Sequence, residues 1–114
     1  MLNLYRDKTY PPVCPFCREK IPRPEELEGG WWYEFEGGEC SCGAFFAHDP
    51  TARNGGAVLL QALLQSCHGD WDEALSLAPE VDYDEAFVGH YNGRTHRIES
   101  QAFGTLYFIR RRSP

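Results

Sequence analysis

The 114-residue chain has no apolar run long enough to span a membrane. Its first ten residues carry Arg6, Asp7 and Lys8, without the apolar stretch that a secretory signal requires. These two absences lead us to expect a cytoplasmic protein without membrane contact, in a compartment where thiols stay reduced. Cationic residues are outnumbered, with 11 Lys and Arg against 17 Asp and Glu and a net charge of −6. That balance argues against wholesale coating of nucleic acid. Catalytic signatures are also missing. There is no H-E-x-x-H segment, and Gly29-Gly30, Gly37-Gly38 and Gly55-Gly56 lack the lysine of a phosphate loop. A zinc deaminase needs a His- or Cys-x-Glu segment upstream of a Pro-Cys-x-x-Cys pair. Here Pro15 lies inside the pair and no such segment precedes it. No internal repeat is present.

Against this sparse background stand four cysteines in two close pairs. They are Cys14 and Cys17 in C-P-F-C, and Cys40 and Cys42 in C-S-C-G, separated by the 22 residues from Arg18 to Glu39. In a reducing compartment, paired thiols favour a metal over disulfides, and a C-x-C disulfide would close a strained ring. Four soft donors at tetrahedral corners suit one zinc ion. Iron fits the same sulfur set as a minor alternative. Pro15 stiffens the first turn. Gly43 lets the backbone fold past the second pair and aim N–H groups at the sulfurs. With all four corners taken by protein, we expect a structural site that braces a small core.

On C-P-F-C, the hairpin expected between the pairs, and C-S-C-G, the segment from Val13 to about His48 resembles the zinc-ribbon class of domains. Three features depart from the common pattern. The second pair has one intervening residue, Arg18 follows the first pair where glycine is usual, and the interval is long. The resemblance implies a zinc-ribbon element and no single activity, because the class serves many binding roles. The whole chain also looks like small bacterial zinc-ribbon proteins of unassigned role.

The remaining pattern predicts a single α+β domain over residues 1–114. A zinc-ribbon β-hairpin (13–48) would pack with a short αα-hairpin (51–79) and a small antiparallel sheet from a β-rich segment (81–112). Trp31–Glu36 alternates as a strand, with Trp31, Tyr33 and Phe35 on one face and Trp32, Glu34 and Glu36 on the other. Gly37-Gly38 reads as a turn, and Ala44–His48 as the returning strand. Leu60, Leu63, Leu64 and Cys67 fall on one helical face, started by Thr51 or Asn54 and stopped by Gly69. Asp70 caps a second helix, with Glu73 as the partner of a capping-box variant and Trp71, Ala74, Leu75 and Ala78 as its stripe. Asn92-Gly93 signals a tight turn between strands near Phe87–Tyr91 and Thr95–Glu99. Val81–Ala86 fits either a strand or a helical turn. Thr105–Arg110 is apolar on both faces and reads as a central strand.

Three functional readings follow. The first is a non-enzymatic, zinc-stabilised binding module that recognises a protein partner, with Trp32 and the acidic helical surface as contacts. The second is binding to nucleic acid or the ribosome through Arg94, Arg97, Arg110, Arg111 and Arg112. Residues 91–114 hold those five arginines against Glu99, while residues 51–90 hold one arginine against seven acids. The blander reading of the arginines is a solvated strand edge. The third is a small metal-dependent enzyme using His48, Asp49, His68 and Asp70. Asp70 is already accounted for as a cap, and Cys67 as an apolar helix position rather than a nucleophile.

Overall fold

A computed structural model describes residues 9–26 and 35–112. Trp31, Trp32, Tyr33 and Glu34 lie outside the described residues, so most of the expected Trp31–Glu36 strand and the proposed Trp32 contact fall outside them too.

The chain forms β1 (Glu25–Glu26), β2 (Glu36–Glu39), β3 (Phe45–Asp49), α1 (Gly55–Ser66), α2 (Trp71–Ser76), β4 (Tyr83–Asn92), β5 (Arg97–Ile98) and β6 (Gly104–Arg111). All strands join one antiparallel sheet in the order β1-β2-β3-β6-β4-β5. The α+β class holds. The expected partition into a ribbon hairpin and a separate C-terminal sheet does not. β3, the returning strand of that hairpin, pairs with β6 from Phe45↔Ile109 to Asp49↔Thr105, so a single sheet runs through both segments. The apolar residues on both faces of β6 explain this. A strand with nothing to show to water must sit inside a sheet covered on both sides.

Period-2 alternation divides the two faces. Ala47 and Ile109 turn toward α1, where they join Val58, Ala62, Leu63, Leu64, Cys67 and Tyr83 in one core. Phe46, Leu106 and Phe108 turn the other way, joining Ile21, Tyr91 and the cysteine knuckles. The Phe46 and Phe108 rings lie 5.4 Å apart. Gly37 and Gly38 are strand residues of β2, not the turn expected. A Cβ on Gly37 would strike the Phe46 carbonyl, and one on Gly38 would come within 2.9 Å of the Phe46 ring. The glycines let β2 lie against β3.

α1 starts after Asn54, whose side chain makes no cap bond. Asp49 organises the entry instead. Its fully buried carboxylate accepts the N–H groups of Thr51, Ala52 and Asn54 at 3.1, 3.1 and 2.8 Å. At the far end, Gly69 N–H donates to the Leu64 carbonyl, with His68 in the left-handed region. The Asp70 cap forms as expected, accepting from Glu73 N–H at 3.1 Å. Leu75, expected in the α2 stripe, is exposed, because this six-residue helix buries only Ala74.

The ambiguous Val81–Ala86 segment becomes strand from Tyr83 onward. Asn92-Gly93 is not a two-residue turn. Asn92 Oδ1 accepts the N–H groups of Arg94 and Thr95, His96 N–H returns to the Asn92 carbonyl, and the loop runs through residues 93–96. β5 shrinks accordingly to two residues.

Candidate metal centre

Two tight turns bring the cysteines together. In the first, Cys14 N–H donates to the Glu19 carbonyl, Arg18 N–H to the Cys14 carbonyl, and Phe16 N–H to Cys14 Sγ at 3.4 Å. Closing this knuckle puts Arg18 at φ 66°, a conformation that glycine adopts without strain. In the second, Cys40 N–H donates to the Ala44 carbonyl and Gly43 takes φ +95°. This turn joins β2 to β3, so the sheet itself fixes its position.

The four Sγ atoms lie within 4.8 Å of one another, with Cys14 and Cys40 buried and Cys17 and Cys42 half-buried. Cys14 Sγ is 3.8 Å from Cys42 Sγ, and Cys17 Sγ is 3.5 Å from Cys40 Sγ. Four sulfurs about 2.3 Å from a central ion form a tetrahedron with edges of about 3.8 Å. The spacing therefore fits one metal ion. Among the described residues, no other group of three or more His, Cys, Asp and Glu side chains converges in this way.

The thiols are not equivalent. Burial pushes Cys14 up to about 12, against the opposing pull of backbone N–H groups from Cys17 and Phe16. Burial also opposes ionisation of Cys42, but the Ala44 N–H and the neighbouring thiols outweigh it and bring Cys42 down to about 7. A cation stands close by: the Arg110 guanidinium lies 4.7 Å from the centre of the Phe16 ring, inside the C-P-F-C turn.

The five arginines do not make one patch. Arg97 pairs with Asn92 at one end of β4 and Arg94 lies in the loop that follows it, whereas Arg110–Arg112 lie beside the Tyr83 end, about 25 Å away along the strand. Arg97 is committed to Thr9, donating to its Oγ1 and carbonyl at 2.9 Å. Arg111 reaches Cys67 Sγ and Glu73, and Arg112 pairs with Asp84 at 2.6 Å. Nor does the fold unite the four residues of the enzyme reading. His48 and Asp49 precede α1 and His68 and Asp70 follow it, and its 12 residues span about 18 Å. Asp49 is spent on its loop, Asp70 on its cap, and His68 on its turn.

His48 has neighbours that sequence alone did not announce. It is 7% exposed, its ring stands edge-on to Tyr91 at 4.8 Å, and Nε2 has no hydrogen-bond partner. Burial holds its pKa below the usual value, despite Glu36 and Asp49, so the ring is neutral at pH 7. It forms part of a cleft of about 730 Å³, with Phe35, Asn54, Tyr91, Arg94 and Phe103 among the other walls. Next to it, Tyr91 Oη is 2.6 Å from His96 Nδ1, and His96 Nε2 is 3.1 Å from the Ile21 carbonyl. A carbonyl only accepts, so Nε2 carries the proton and Tyr91 donates to Nδ1. This relay ties the 93–96 loop to the segment that follows the first knuckle.

No helix among the described residues is long and apolar enough to cross a membrane. Comparison with protein-family models, with curated proteins and with solved structures gave no match.

Proposed function

We propose that the chain is a non-enzymatic binding module, stabilised by zinc, that recognises a protein partner in the cytoplasm. The convergence of four cysteine sulfurs at tetrahedral spacing carries this reading. Cys14, Cys17, Cys40 and Cys42 would hold the zinc. Bound there, it supplies cross-linking of the N-terminal arm to the β2–β3 turn, and four thiolates leave no open position for substrate or water. The zinc-ribbon likeness belongs to this pair of knuckles, here built into a larger sheet.

Charge favours a protein partner over nucleic acid. The strongest cluster is acidic, in residues 51–90, and Arg97, Arg111 and Arg112 are engaged within the fold. Affinity isolation from native cells, with and without nuclease, tests the reading. A protein retained after nuclease treatment supports it. A catch that nuclease abolishes, with steep salt dependence, replaces it with nucleic-acid binding.

A further inference from the structure

Among the described residues, the outer side of β4 is open between Tyr83 and His90. On its inner side β6 pairs with it from Tyr83 to Val88 and again at Tyr91. On its outer side, among the described residues, β5 pairs with Tyr91 and Asn92, and Pro79 bridges to Tyr83. Backbone direction alternates along a strand. The Asp82 carbonyl accepts from Arg112 N–H of the β6 side, while the Tyr83 carbonyl accepts from Glu80 and the His90 carbonyl from Glu99 on the outer side. Counting in twos from Tyr83, the N–H and C=O groups of Glu85 and Phe87 point outward. Among the described residues, no strand pairs with this stretch. The register shift between Val88 and Tyr91 limits it to about one short strand.

A second, independent feature adjoins it. Leu59 of α1 and Glu85, Ala86, Phe87 and Tyr107 line a groove of about 410 Å³. Phe87 is 69% exposed, its ring 6.2 Å from that of Tyr107. An edge strand beside an apolar groove under a helix is the arrangement in which an added strand gains main-chain bonds and a side-chain pocket together. The surrounding charge selects the occupant. Asp84 is neutralised by Arg112, whereas Glu85 has no ion pair among the described residues. Beside the Tyr83 end, Arg111 and Arg112 are paired with Glu73 and Asp84, and Arg110 lies over the Phe16 ring, so Glu80, Asp82 and Glu85 are left without an ion pair among the described residues. A second copy of this chain would bring the same acids to the edge.

We propose that the β4 edge takes an extended basic segment of a partner protein as an added strand. Its backbone bonds to Glu85 and Phe87, an apolar side chain enters the Leu59–Phe87–Tyr107 groove, and a Lys or Arg meets Glu85. The proposal deepens the protein-binding reading and rests on it.

The test uses the full, zinc-loaded chain and two capped hexapeptides, Thr-Lys-Thr-Val-Thr-Lys (the lysine peptide) and Thr-Glu-Thr-Val-Thr-Glu (the glutamate peptide), whose charged and apolar side chains stand two positions apart and so share a face, as Glu85 and Phe87 do. Amide exchange at Glu85 and Phe87 is followed by NMR. The lysine peptide at millimolar concentration slows both amides at least tenfold, and the glutamate peptide leaves them unchanged. Phe87→Ser, an exposed position, weakens binding at least tenfold without moving the unfolding midpoint. Glu85→Lys reverses the preference between the peptides. The proposal is overturned if neither amide responds, if both peptides act alike, or if raising the protein concentration alone protects the edge, which would make the occupant a second copy. A captured cellular protein that Phe87→Ser still retains overturns the edge and leaves the protein-binding reading standing. A nuclease-sensitive catch overturns that reading itself.

Discussion

Gly93 packs against the imidazole of His48 with no room for a side chain. A Cβ at Gly93 would stand 2.7 Å from His48 Cε1, and one at Gly104 would stand 2.9 Å from Nε2. The ring thus sits close to two backbones, those of Gly93 and Gly104. Gly93→Ala should therefore cost about 1–3 kcal/mol, the usual range for overpacking. With His48→Ala in the background, most of that cost should vanish. Denaturation of the zinc-loaded double-mutant cycle measures the coupling, expected at about 1 kcal/mol or more. Additive effects would show that the two positions are not in contact.

The same histidine gives stability a pH dependence. Burial lowers its folded pKa beneath the ordinary histidine value of 6.5, so the unfolded chain binds its proton first. Its contribution is complete above the unfolded pKa and is lost as pH falls through the folded one, with a slope of at most about 1.4 kcal/mol per pH unit. His48→Leu should flatten the midpoint curve below pH 6.5 relative to the parent. Any effect of the thiolates is common to both proteins, so the difference reports His48. Parallel curves would contradict the assignment.

Asp49 holds the entry to α1 with three backbone N–H bonds and the Thr51 hydroxyl at 2.9 Å. Asp49→Ala leaves those donors without an acceptor and should cost at least about 2 kcal/mol. Asp49→Asn keeps one acceptor oxygen and should cost less. Equilibrium unfolding of both variants checks the order. A loss below about 0.5 kcal/mol for the alanine variant would mean that something else organises the loop.

Arg18 holds a left-handed backbone conformation with an exposed side chain. Glycine there removes a strain of about 1–2 kcal/mol and adds about 0.5–1 kcal/mol of unfolded-state entropy. Arg18→Gly should stabilise the zinc-loaded protein by about 0.5–1 kcal/mol, read from its denaturation midpoint. A destabilised variant would show that the arginine side chain contributes to the knuckle.

The cysteine pairs were legible because ligand chemistry is local. Two tight turns dictate which residue types stand where, and Arg18 departs from glycine at the very position that needs positive φ. The caps at Asp70 and the central place of β6 were legible for the same reason, as spacing and two-faced apolarity are written along the chain. What failed depended on remote neighbours. Gly37 and Gly38 look like a turn until Phe46 is placed across from them. Asn92-Gly93 looks like a tight hairpin, but Gly93 answers to His48, 45 residues earlier. Asn54 looks like a cap until Asp49 takes that role. The β4 edge, open among the described residues, is hidden in the sequence because Thr95–Glu99 reads as a full strand, whereas β5 has two residues.

The sulfur cage underlies the proposed role of the zinc, and X-ray absorption at the zinc edge reaches it most directly. Freshly purified, air-protected protein should carry one zinc per chain, with a first shell of four sulfurs at about 2.3 Å and no nitrogen or oxygen. Metal-free protein, or a shell containing nitrogen or oxygen ligands, would contradict it.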